Sequence, residues 1–92
     1  MYQAKHQAIR TEVERIIRFI YPDDPLIVWT QPFNDGLRAT VLLEGRNRQY
    51  CPVATASIGP LFGDPKDIAS ALWPKLGNRL RSSMREERTL KL

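Results

Sequence analysis

The chain has 92 residues, 42% of them hydrophobic and 26% charged, which fits one soluble globular domain and leaves no room for a second core. Its net charge is +4, yet eight basic residues balance eight acidic ones from Met1 to Pro74, so the whole excess falls in the last eighteen positions. A single cysteine excludes an internal disulfide and a thiolate metal cluster, and no apolar run approaches a membrane span.

Charged residues run through positions 1–20, which argues against a signal peptide and, with the lone cysteine, favours a reducing cytosolic setting. In the same stretch Ile9, Val13, Ile16, Ile17 and Ile20 fall at i, i+4, i+7, i+8 and i+11, one apolar stripe of an amphipathic helix. Arg10, Glu14 and Arg18 repeat every four residues on another face, where alternating ion pairs contribute about 0.2–0.5 kcal/mol each. Tyr21 precedes Pro22 and is pushed out of the helical region, so the helix ends there and Asp23-Asp24-Pro25 turns the chain.

Three strands follow. Residues 26–30 are β-branched and aromatic and lie between Pro25 and Pro32. Asn34-Asp35-Gly36 is a turn in which Gly36 is expected to take the positive φ. Leu37, Ala39, Val41 and Leu43 then point one way, and Arg38, Thr40, Leu42 and Glu44 the other. Gly45-Arg46-Asn47-Arg48 closes a hairpin into a third strand over residues 49–58. Pro52 cannot donate a ladder hydrogen bond there and marks an edge strand or a bulge.

After a loop from Gly59 to Gly63, Asp64, Pro65 and Asp67 provide an N-cap, a first helical residue and a charge suited to the helix dipole. Ile68, Leu72, Leu76 and Leu80 form an apolar stripe, while Pro74 is expected to kink or split the helix after Trp73. No strong core position lies beyond Met84, so residues 85–92 are expected as a basic, fraying segment. The fold class is therefore α+β: a three-stranded antiparallel sheet with two helices on one face, in the order α-β-β-β-α, as a single domain spanning 1–92. A chain this small is expected as a monomer or weak homodimer.

Nothing in the pattern assembles a reaction centre. His6 is expected exposed on the first helical turn and Cys51 as a small apolar strand residue, with no partner arranging them as a pair. The aspartates fall at turns and caps, no metal-ligand spacing occurs, and the Gly59–Gly63 loop lacks a Walker lysine. We therefore expect no catalysis, metal or cofactor. The basic residues carry more. Arg81, Arg85 and Arg88 share one side of the last helix and Lys75 and Arg79 form an adjoining row, suited to phosphate oxygens or an acidic protein face. Arg38, Arg46 and Arg48 make a second cluster around the hairpin; Trp29, Phe33 and Tyr50 would stack on bases if exposed, although Trp29 and Phe33 read more readily as core or rim residues. The competing reading of the last helix is a solvated face with a free tail.

The element order, together with the stretch from Gly59 through Gly63 to Ala69, Ala71 and Leu72, resembles the double-stranded-RNA-binding domain. That resemblance implies an RNA- or DNA-binding module; the family's lysine cluster at the helix start has one counterpart here, Lys66, between Asp64 and Asp67. The chain's size, two-helix three-strand plan, single cysteine and arginine-rich segment are also similar to small phage-encoded anti-CRISPR proteins, type I-F inhibitors in particular. This second resemblance implies a non-enzymatic inhibitor in the cytoplasm of a bacterial host. Its partners would be a ribonucleoprotein complex, through Cas subunits and the guide RNA backbone, with no membrane involved. A toxin-type nuclease is the third reading and needs His6 or a carboxylate cluster to assemble.

Overall fold

The apolar stripes and the alternating strand become five elements in the computed structural model, which describes residues 2–45, 47 and 49–90. Helix α1 spans Tyr2–Ile20, strands β1 Leu26–Phe33, β2 Gly36–Glu44 and β3 Tyr50–Ile58 follow, and helix α2 spans Pro65–Leu90. The strands form one antiparallel sheet in the order β1-β2-β3. Both helices cover the same face, α1 over β1 and α2 over β3, and they pack on each other between.

Register explains which side chains go inside. Val28 pairs with Val41 and Val41 with Ala54; Thr30 pairs with Ala39 and Ala39 with Ala56, so these rows share the helix-facing side. Ala39, Ala54 and Ala56 are short, and the helices fill the space above them with Ile9, Val13 and Ile17 from α1 and Leu72, Leu76 and Leu80 from α2. On the outer side of α1, Glu14 pairs with both Arg10 and Arg18, and Glu12 with Arg15. Those three arginines are thus engaged by two glutamates within the helix.

Several expectations are corrected. The first strand continues past Thr30 through Pro32 to Phe33, which is permitted because β1 is an edge strand and Pro32 lacks only a donor. The tight turn takes its positive φ at Asn34 (54°), not at Gly36. Gly36 is required for space instead: a Cβ there would lie 1.9 Å from the Ile58 carbonyl oxygen. Ile20 is 47% exposed because α1 ends beside no apolar neighbour at that point, and Tyr21 packs against the core in its place.

Pro74 does not split α2, whose helical backbone is continuous from Pro65 to Leu90. Pro74 and Ser70 both lie on the exposed side, so the Ser70 carbonyl that loses its helical donor faces water. Pro52 does mark an irregularity. Val41 pairs with Ala54 while Leu42 pairs with Pro52, leaving Val53 as the extra residue of a bulge on an edge strand.

Helix α2, about 39 Å long at 1.5 Å per residue, runs antiparallel to β3. Arg79 meets Thr55 and Ser83 meets Val53, so four helical residues advance about as far as two strand residues. Residues 85–90 continue the helix, while 91–92 of the expected fraying segment lie outside the described residues.

Candidate binding surface

The strand face turned away from the helices has no layer over it. Ile27, Trp29, Gln31 and Phe33 of β1 share it with Arg38, Thr40, Leu42 and Glu44 of β2, as the pairings Ile27–Leu42, Trp29–Thr40 and Gln31–Arg38 require. The third strand adds Tyr50, Pro52, Thr55 and Ser57. Trp29 is 56% exposed and Tyr50 49%, against the expectation that Trp29 would lie in the core or at its rim; Phe33 is half-buried. The Arg38 guanidinium carbon sits 3.9 Å from the centre of the Phe33 ring, a cation–π stack that fixes a flat, charged plate on this face. Thr40 and Thr55 hydroxyls meet at 3.2 Å across the strands. The result is a rigid floor carrying aromatic surface, one stacked arginine and hydroxyl groups.

The basic residues of α2 divide between two surfaces. Arg79 donates from its guanidinium to the Thr55 carbonyl and Ser83 donates to the Val53 carbonyl, both on the outer edge of β3. These bonds cover the edge that would otherwise present unpaired carbonyls to another strand. Arg79, expected as a partner contact, is thus partly committed to the fold, though one guanidinium has five donors and the residue stays exposed. Lys75 lies one turn earlier and borders a depression of about 240 Å³ shared with Phe33, Asp35 and Ser57, so it adjoins the open face. Arg81 and Arg85 are exposed next to buried Leu80 and Met84, on the side of α2 away from the sheet. Arg88 lies on α2 as well, and Arg46 and Arg48 fall outside the described residues. The sequence placed Lys75 and Arg79 in a row adjoining that of Arg81 and Arg85; on the helix the rows are further apart, because two residues advance by about 200° around it.

Removing both edge contacts, Arg79→Ala with Ser83→Ala, is expected to cost about 0.5–1.5 kcal/mol per lost hydrogen bond. It should also increase self-association, read by thermal melting and sedimentation. An unchanged melt and an unchanged monomer fraction would show that the edge is not held this way.

His6 is not exposed as expected. It is 8% exposed, and its Nε2 is buried with no hydrogen-bond partner. The neighbouring Lys5 ammonium ties the start of α1 down by donating to the Leu61 carbonyl at 2.7 Å. His6 shares a cavity of about 370 Å³ with Pro32, Asn34, Asp35, Gly36 and Leu61 at the Gly36 end of the sheet. Cys51 is exposed and pairs with Leu43 at the other end of β2. Leu43 is seven positions along β2 from Gly36, about 23 Å at 3.3 Å per residue, so histidine and cysteine do not form a dyad. Among the described residues no three His, Cys, Asp or Glu side chains come together in a way that could hold a metal ion. No helix among them is long and apolar enough to cross a membrane.

Comparison with known proteins adds no relative: no family model, no curated protein and no solved structure matches this chain. What the chain can do must therefore be argued from its own surface.

Proposed function

We propose that the chain is a non-enzymatic binding protein whose working surface is the open face of the sheet, and that it covers a surface of a nucleoprotein complex. The observation that carries this reading is the exposure of Ile27 and Trp29 on one face of the sheet near the Arg38–Phe33 stack, with Tyr50 exposed at the far end of the same face. Scattered exposed apolar residues need no explanation, but Trp29 near a stacked Arg38, with Tyr50 further along the same face, matches the residue types of binding hot spots. Phe19 and Phe62 are also exposed, yet they lie on α1 and in the loop before α2 and contribute nothing to this group.

A nucleoprotein partner is favoured by the mixture of surfaces. The open face offers aromatic contacts, and the basic row of Lys75 and Arg79 beside it offers charge for a phosphate backbone. The resemblance to anti-CRISPR proteins supplies the class of complex to try first, a CRISPR–Cas surveillance complex assembled on its guide RNA. Inhibition would follow from occupying that complex's own nucleic-acid path.

The test compares substitutions on two surfaces. Trp29→Ala is expected to leave the melting temperature nearly unchanged and to weaken binding to the assembled complex by about 30-fold or more, the 2 kcal/mol scale of a hot spot. Arg81→Glu with Arg85→Glu reverses charge on the far side of α2 and is expected to weaken it much less. The reverse ranking would move the working surface to the back of the helix.

A further inference from the structure

We infer that the component taken by the open face is single-stranded nucleic acid, its bases unstacked onto Trp29 and onto the Arg38–Phe33 plate and its phosphates running beside Lys75 and Arg79. This rests on the open face being the working surface and names the chemistry that fits it. Three features of the face point to bases and not to a protein.

The first is the pair of stacking sites. Trp29 presents more than half of its surface, and the guanidinium of half-buried Arg38 lies over the Phe33 ring, the two kinds of plane on which unpaired bases stack. Trp29 and Phe33 are four residues apart on one strand face, about 13 Å. Neighbouring bases in a duplex strand rise by only about 3.4 Å, so the two sites suit a strand whose bases are splayed apart. A duplex keeps its base faces inside its own stack and cannot use either platform.

The second is what lies between the platforms. Gln31 separates them along β1, with Thr40 directly across from Trp29 and Thr55 beyond it. Gln31 offers an amide donor and acceptor beside the aromatic planes, and Thr40 and Thr55, whose hydroxyls bond each other and the Ala39 carbonyl, offer acceptor lone pairs, a combination suited to base edges. The third is charge. The two carboxylates of this region sit at its ends, Glu44 opposite Tyr50 and Asp35 in the turn, while Arg38 stands on the strand between. Along the β3 side, exposed Lys75 and Arg79 are one helical turn apart, about 6 Å. Arg79 spends one donor on Thr55 and has others to offer, and Lys75 opens onto the depression it shares with Phe33. Stacking sites and cations are thus on adjoining surfaces.

The experiment uses the intact chain with labelled oligouridylate and oligothymidylate of twelve nucleotides and a duplex of the same length, read by anisotropy at low salt. Single strands are expected to bind at least tenfold more tightly than the duplex and to quench tryptophan emission. Trp29→Ala should reduce single-strand affinity by about 5- to 150-fold, the range for loss of one stacked base. Trp29→Phe should restore most of it. Two phosphate contacts predict a log–log salt slope near −1.4. Equal affinity for duplex, a silent tryptophan, or a Trp29→Ala variant that binds like wild type would overturn the inference. Should the oligonucleotides fail while Trp29→Ala still abolishes binding to an assembled nucleoprotein complex, the occupant is protein: this inference falls and the working surface stands.

Discussion

Leu72→Ala is expected to lower the unfolding free energy by about 2–5 kcal/mol. Leu72 has no exposed surface and belongs to the core that α2 forms with the sheet and α1. A domain of this size has about 5–14 kcal/mol of stability in total, so one such cavity removes a large part of it. A shift of the chemical-denaturation midpoint to lower denaturant, with unchanged slope, is the expected readout. Ile20→Ala belongs beside it as a control. It removes a chain of similar size from the apolar stripe of α1, but from a position 47% exposed, and should cost far less. Equal losses at the two positions would contradict the packing described here.

Gly36→Ala is the second large effect. The added methyl would lie 1.9 Å from the Ile58 carbonyl oxygen and 2.5 Å from the Gly59 Cα, both of them backbone atoms. Neither can rotate away as a side chain would, so β3 must move off β2 at the turn end of the sheet. Overpacking costs about 1–3 kcal/mol where side chains can adjust, and a backbone clash of this depth should exceed that range. Gly45→Ala is the matching control, because a Cβ there meets only the Gln49 carbonyl oxygen at 3.5 Å, an ordinary contact. A stable, well-folded Gly36→Ala protein would show that the β1–β2 turn and the start of the Gly59 loop are not as close as described.

The element order and the helix-facing side of β2 were legible in the sequence because each rests on a period. Leu37, Ala39 and Val41 alternate with Arg38 and Thr40, and a two-fold alternation has only one way to meet a dry layer. Periodicity tells which side of an element is apolar, not where the neighbouring element stops. That is why Ile20 falls on the stripe and outside the core. The first strand fails differently: Leu26, Ile27, Val28 and Trp29 are apolar on both faces, so no alternation says which one is covered. A signal was present in the hairpin. Counting back from the two-residue turn at Asn34-Asp35 pairs Trp29 with Thr40, on the polar side of β2, and predicts its exposure. The basic segment was legible as charge but not as surface. Arg79 and Arg81 are two residues apart, and only docking of α2 along β3 commits one to a strand edge and leaves the other on the far side.

Oxidative side-chain footprinting tests most directly whether the open face is where the protein binds. Free and bound chain would be exposed to hydroxyl radicals and the modified residues quantified, using a single-stranded oligonucleotide or an assembled nucleoprotein complex as partner. Trp29 and Tyr50 are reactive and exposed on the open face, and Phe19 and Phe62 are still more accessible reporters on α1 and in the loop before α2. Binding is expected to protect Trp29 and Tyr50 severalfold and to leave Phe19 and Phe62 as reactive as in the free protein. Protection of Phe19 or Phe62 with Trp29 and Tyr50 unchanged would place the partner elsewhere and contradict the account.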